Sequence, residues 1–320
     1  QIGKEALIEL SEVMMRQTSF VEIVTVDPSH GPKVYDRLNA RGETLTLGEL
    51  VKNDIFSRAD THDEQSLKRL HDNNWFKFHK LFLEDKIFER YLFPYGLLHL
   101  DDDSINKSEV YLRLQESWTS SVTPKDIINE LKEYQNDFLD IVLDGSDNKN
   151  YRKHPKKLTE MFERFRFLKA GNALDSFLMK VSYEVHKKNL QPSEAVKALK
   201  IIESFLVRRG ICGFTGTGLL ALFRSLWDNQ SDRPENTFSE RVAAQIRSER
   251  NTHTWPTDAA VKDAIETRSL YGTKTTLFIL YEFDKKTSGG HQPADKPQIE
   301  HLLPQTIEGK QCWEKNWKNR

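Results

Sequence analysis

Cysteine is nearly absent: 320 residues hold only Cys212 and Cys312, far apart in the sequence. Two cysteines in a chain this long make a poor disulfide framework, so a reducing compartment such as the cytoplasm is expected. Long apolar runs are also missing, and nothing approaches the roughly 18 residues that a membrane span requires. No signal peptide is visible. Gln1 to Phe20 reads as an amphipathic helix, with Ile2, Ala6, Leu7, Leu10, Val13 and Met14 at helical spacing. No membrane partner is therefore expected. Nor does one sign of charge dominate. Lys and Arg number 47 against 48 Asp and Glu, for a net charge of −1. The chain as a whole is not a basic DNA-binding protein, and a cationic surface would have to come from local segregation of charge.

What the chain does contain is enough apolar sequence, 38% of residues, to bury a sizeable core in two or three domains. One segment reads convincingly as a strand: Phe20 to Val26, rich in Val, Ile and Thr. A short helix is expected over Lys33 to Leu38, then a turn at Asn39-Ala40-Arg41-Gly42. A second helix is expected from about Thr46 to Ser57, with Thr46 and Glu49 at capping-box spacing. From Asp60 to Phe283 one helical pattern follows another. Thr123-Pro124 opens a helix carrying Ile127, Ile128, Leu131, Tyr134 and Phe138 on one stripe. Pro192 opens another, which Gly210 is expected to close. Leu219 to Trp227 and Leu270 to Phe283 look similarly helical, and no repeat period emerges. Gly289, Gly290, Pro293 and Pro297 mark Thr287 to Pro297 as a linker. The expected fold class is mainly α, a multi-helical body with an α/β element at its N-terminal end.

The sharpest local signal is Ile299-Glu300-His301-Leu302-Leu303-Pro304-Gln305. A carboxylate suits a hard divalent cation, and an imidazole titrates near neutrality, so the pair has the chemistry for metal-assisted phosphodiester hydrolysis. Adjacent residues of a regular strand point to opposite faces. Glu300 and His301 can serve one site only if the strand ends or bulges there, which Pro304 permits. The plainer reading is an incidental Glu-His pair at the end of a buried element.

This element resembles the opening of an HNH, or ββα-metal, nuclease. That resemblance assigns Glu300 as ligand of a divalent cation, Mg²⁺ or Mn²⁺, and His301 as the general base. Further blocks widen it. Val34 to Gly42, followed by Leu45, Leu47, Leu50, Lys52 and Asn53, resembles the second conserved block of the DGQQR domain. Val207-Arg208-Arg209-Gly210-Ile211-Cys212-Gly213 and Trp255-Pro256-Thr257-Asp258, with Leu277 to Tyr281, are similar to the helical middle of the same proteins. These are the GmrSD-type, modification-dependent restriction endonucleases. The resemblance implies three regions. Residues 1–60 would be the C-terminal part of a ParB-like DGQQR domain, 61–286 a helical domain, and 287–320 a linker and the first part of an HNH domain. It implies cleavage of modified phage DNA coupled to hydrolysis of a nucleoside triphosphate, with DNA and nucleotide as partners; whether the protein forms a homo-oligomer stays open. It also implies a fragment: the Asp-Gly-Gln-Gln-Arg stretch is expected upstream of Gln1 and the later HNH residues after Arg320, so the isolated chain is expected to cleave little or nothing. Two other classes stay open: a non-catalytic helical scaffold binding DNA or protein, and an HNH nickase or RNase indifferent to modification.

The remaining candidates each have two readings. Asn39, Arg41 and Gly42 could contact nucleotide phosphate or simply form a helix-to-helix turn. Gly213-Phe214-Thr215-Gly216-Thr217-Gly218 looks like a phosphate cradle but lacks the Lys-Ser/Thr of a Walker motif. A glycine-rich break before the Leu219 helix is the better reading. Lys149, Arg152, Lys153, Lys156 and Lys157 lead a basic stretch reaching Lys169, interleaved with Tyr151, Phe162, Phe165 and Phe167. It could track a DNA backbone, or be a solvated helix face whose aromatics enter the core. His291, His301 and Cys312 match no zinc template and are one ligand short. Trp313 and Trp317, four apart, would share a helix face and read as core packing.

Overall fold

A computed structural model of the chain describes residues 12–13, 45–59, 63–100, 105–119, 121–143, 154–168, 172–228, 237–248 and 254–287. Among them all regular secondary structure is helical and no strand occurs, so the described part is mainly α as expected. No helix among the described residues is long and apolar enough to cross a membrane. The chain divides into two compact units, residues 1–89 with 111–130 and residues 90–110 with 131–320. The expected strand at 20–26, the helix at 33–38 and the linker beyond Thr287 lie outside the described residues.

In the first unit, α1 (Leu47–Ser57) starts with the expected capping box: Glu49 N donates to Thr46 Oγ1 at 3.3 Å, and Thr46 N donates back to Glu49 Oε2 at 2.9 Å. Val51 and Ile55 are fully buried beneath it. Its buried Asp54 accepts from Arg58 Nε at 2.7 Å and from Gln115 Nε2 at 2.8 Å, so the carboxylate is satisfied by charge-assisted bonds. Arg58 Nη1 also donates to the carbonyl of Trp118 at 2.6 Å, tying the end of α1 to the residues after α5 (Val110–Ser117). Between them in sequence, α2 (Glu64–Leu70) passes through a π turn, His71–Trp75, into α3 (Phe76–His79) and a 3₁₀ turn, Lys80–Phe82. Trp75, Phe78, Phe82 and Phe88 cluster edge-on or tilted, with ring centroids 5.7 Å apart for Trp75–Phe78 and 5.1 Å for Phe82–Phe88. Each such pair adds about 0.5–1.5 kcal/mol beyond its burial. His79 stacks on Trp75 at 5.3 Å, and its burial there lowers its pKa despite the nearby Asp85.

The stripe predicted over Ile127 to Phe138 is buried throughout but not continuous. Thr123 caps α6 (Pro124–Leu131) as expected, accepting from Asp126 N at 3.2 Å. Residues 132–134 then turn, and α7 (Gln135–Val142) restarts the helix. Helical spacing reports which residues are buried, and two short helices satisfy it as well as one long one.

In the second unit the 21-residue α10 (Pro192–Cys212) is the central element. It packs against α8 (Lys156–Leu168), α12 (Phe238–Ser248), α13 (Asp258–Thr267) and α14 (Lys274–Thr287). Pro192 sits in its first turn as expected, and Ala195, Ala198, Leu199, Ile202 and Phe205 are fully buried. Gly210 does not close it. The helix continues to Cys212, and Gly213, left-handed at φ 71°, ends it. Gly213 N donates to Gly210 O at 3.2 Å and Phe214 N to Arg209 O at 2.9 Å, the paired bonds of a Schellman motif. Gly210 is small for another reason. A Cβ there would collide with the side chain of Thr275 on α14.

The remaining helices of this unit are α4 (Asp85–His99), which contributes from Arg90 onward, α9 (Asp175–His186) and α11 (Leu219–Asp228). α11 forms where expected. α14 starts at Lys274 rather than Leu270, because Gly272 adopts φ 74° and Thr273 Oγ1 caps the helix by accepting from Thr276 N at 3.2 Å.

Candidate functional site

The residues assigned to catalysis and metal binding, His301 and Glu300, lie outside the described residues, as do Asn39, Arg41 and Gly42 and the basic Lys149, Arg152 and Lys153. His291, Cys312, Trp313 and Trp317 do so too. Among the described residues no group of three His, Cys, Asp or Glu side chains could hold a metal ion.

Of the five residues that lead the basic stretch, Lys156 and Lys157 are described. Both are exposed in the first turn of α8, with Lys156 Nζ 4.0 Å from Glu160. The helix they begin buries Leu158, Met161, Phe162, Phe165 and Leu168, so the expected core role holds for Phe162 and Phe165. Phe167 is half-buried and packs edge-on against Tyr281 at 5.1 Å. Two of the arginines also face inward. Arg164 grips Glu203 with Nε at 2.5 Å and Nη2 at 2.9 Å, and reaches Glu282 with Nη1 at 2.5 Å. These bonds raise its pKa further and join α8, α10 and α14 through one guanidinium. Arg166 Nη1 donates to the carbonyls of Asp140 at 3.1 Å and Ile141 at 3.0 Å, placing a cation at the C-terminal end of α7.

Two blocks singled out in the sequence meet in space. Arg208 of α10 donates to Pro256 O at 3.1 Å and to Asp258 Oδ1 at 2.5 Å, while Phe205 stacks on Trp255 at 5.8 Å. Arg209 is buried between the rings of Phe205 and Phe214, at 5.2 and 5.3 Å, with Nη2 donating to Thr215 O at 2.6 Å. Burial lowers its pKa. These residues fasten the C-terminal half of α10 to α13 and to the 213–218 turn. That turn is the glycine-rich break expected before α11, with Gly218 at φ 78°.

Sequence reasoning missed a buried polar cluster. His154 Nε2 lies 3.0 Å from Asp140 Oδ2 and 3.4 Å from Ser182 Oγ, and Ser182 Oγ donates to Asp137 Oδ1 at 2.8 Å. Asp137, Asp140 and Ser182 are fully buried. The residue types are those of a hydrolytic triad, but the geometry is not. A relay needs the carboxylate on one ring nitrogen and the hydroxyl on the other. Here both face Nε2, and the hydroxyl is committed to a second carboxylate with no solvent access. The cluster locks α7 to α9. Its sequence signal was the pair Asp137 and Asp140, three apart within one short helix.

Sequence reasoning also missed a cleft of about 340 Å³ within the second unit. Its polar lining is Arg90, Arg166, Asn172, Asp175 and Lys274. Arg90 holds both oxygens of Asp175, with Nε and Nη2 each at 2.7 Å. Asp175 is 2% exposed, and this burial raises its pKa even though the ion pair opposes it. The cations lie 76 to 184 positions apart in the sequence: Arg90 opens the unit, Arg166 lies in the last turn of α8 and Lys274 begins α14. Nothing local in the sequence could have assembled them.

No family model, curated protein or solved structure matches the chain.

Proposed function

We propose that the chain is part of a divalent-metal-dependent DNA endonuclease of the modification-dependent restriction type, acting on modified phage DNA in a reducing compartment such as the cytoplasm. The observation that carries this reading is the Ile299-Glu300-His301-Leu302-Leu303-Pro304 element, which joins the two side-chain types the reaction needs with a proline that can end a strand beside them. The order of the Val34–Gly42, Val207–Gly213 and Trp255–Asp258 blocks ahead of it adds support.

In this reading residues 1–60 are the C-terminal part of a ParB-like nucleotide-hydrolysing domain, 61–286 a helical domain, and 287–320 a linker and the first part of a ββα-metal module. Glu300 supplies a carboxylate oxygen to Mg²⁺ or Mn²⁺, whose chemistry is to polarise the scissile phosphate. His301 takes the proton from the attacking water. Asn39, Arg41 and Gly42 approach the nucleotide phosphates. Lys156 and Lys157, exposed at the start of α8, extend a DNA-contacting run from Lys149, Arg152 and Lys153.

The test is cleavage of modified and unmodified plasmid by the product of the complete reading frame, with and without Mg²⁺. Cleavage confined to modified DNA and lost in His301→Ala supports the reading. Unchanged cleavage in that variant removes His301 from the mechanism.

A further inference from the structure

The cleft in the second unit has no part in the reading above. Its single carboxylate, Asp175, is neutralised in place by Arg90, and the other charged groups of the lining are cations. Arg90 keeps Nη1 without a bond among the described residues, since Nε and Nη2 serve Asp175. Arg166 is anchored through Nη1 alone, which leaves Nε and Nη2 available. Lys274 and Asn172 are exposed, with no side-chain partner among the described residues. Two of the donors are thus held in place by bonds to α7 and α9, and Lys274 and Asn172 are the ones to be ordered on binding.

Such a set suits an oxyanion carrying more than one charge. Guanidinium forks match the oxygen spacing of phosphate, and an ammonium adds a point charge. The volume falls at the small end of the roughly 300–1,000 Å³ range of ligand pockets. Phe165, Leu174 and Leu178 also border the cleft and are themselves buried.

We propose that this cleft binds the phosphate group of a small phosphoester. The site differs from the one assigned to Asn39, Arg41 and Gly42 and does not depend on nuclease activity.

Calorimetric titration of the whole chain with pyrophosphate, with adenosine monophosphate and with an unphosphorylated thymidine octamer tests it and separates the sources of phosphate. Lys274→Glu carries the decision. Lys274 is exposed and opens α14, so a carboxylate there is compatible with the helix N-terminus. Arg166→Gln is the second variant, checked by circular dichroism because Arg166 also caps α7. The expected result is one site for pyrophosphate and adenosine monophosphate, weakened about tenfold or more by Lys274→Glu and by Arg166→Gln. Absence of binding to both small phosphates, binding of the octamer alone, or unchanged affinity in Lys274→Glu would overturn the proposal.

Discussion

Replacing Gly210 by alanine is expected to destabilise the second unit, although the same exchange in an exposed helix would stabilise it. Two effects compete. Alanine is favoured over glycine inside a helix by about 0.8–1 kcal/mol. Against this, a Cβ on Gly210 would lie 2.9 Å from Thr275 Cβ and 3.0 Å from Thr275 Cγ2, and would also collide with Thr275 Oγ1. Real Cβ contacts are longer, so α10 and α14 must separate or Thr275 must turn. Thr275 is β-branched and stiff at χ1, and it sits in the first turn of α14, so the neighbour yields little. Overpacking of this kind costs about 1–3 kcal/mol. Three atoms of Thr275 crowd the added Cβ, which puts the cost in the upper half of that range, so the collision wins and a net loss of about 1–2 kcal/mol is expected. Urea unfolding followed by circular dichroism measures it. Thr275→Ala removes Oγ1 and Cγ2 but keeps Cβ, so the double variant should recover part of the loss, with a coupling of about 1 kcal/mol. A Gly210→Ala protein as stable as the parent would refute the reasoning, because α10 and α14 would then not approach closely at this position.

Arg164→Met should cost about 2 kcal/mol, because it leaves Glu203 and Glu282, 15% and 30% exposed, facing each other without their shared cation; adding Glu203→Gln should recover part of the loss in the same unfolding assay. Lys188 holds φ 65° just past α9, so Lys188→Gly should raise stability by about 0.5–1 kcal/mol and move the urea midpoint upward. Hydrogen bonds from Lys197 and Ser239 lower the pKa of Glu194 from 4.5 to about 2. A depressed carboxylate stabilises the fold above its unfolded pKa and loses that contribution as pH falls from 4.5 toward about 2. Ser239→Ala should therefore lower stability by about 1 kcal/mol at pH 7 and flatten the acid limb of the stability curve, and an unchanged limb would contradict the assignment.

The features legible in the sequence were those set by neighbours along the chain. Thr46 with Glu49, Thr123 before Pro124, and Pro192 at a helix start each act within one turn, so their spacing alone identified three helix N-termini. Buried stripes were legible too, since helical periodicity records burial. Their continuity was not, and residues 132–134 break a stripe that reads as unbroken. Glycines misled for a related reason. Gly210 and Gly213 look alike in sequence, yet one admits a neighbouring helix and the other supplies a left-handed turn, and only tertiary packing tells them apart. The same holds for the basic stretch: its charge count was readable, but the commitment of Arg164 to Glu203 and Glu282 spans 39 and 118 positions. The Asp140–His154–Ser182 cluster and the cleft around Arg166 and Lys274 are likewise products of long-range assembly.

The measurement that tests the central claim most directly is the rate of modified-plasmid cleavage as a function of Mn²⁺ concentration for the complete protein, its Glu300→Gln variant and its His301→Ala variant. If Glu300 holds the cation and His301 activates water, the first variant needs far more Mn²⁺ to reach its maximal rate. The second keeps the parent's metal requirement and loses about 100-fold or more in rate at saturation. Parental metal dependence and parental rate in both variants would contradict the account.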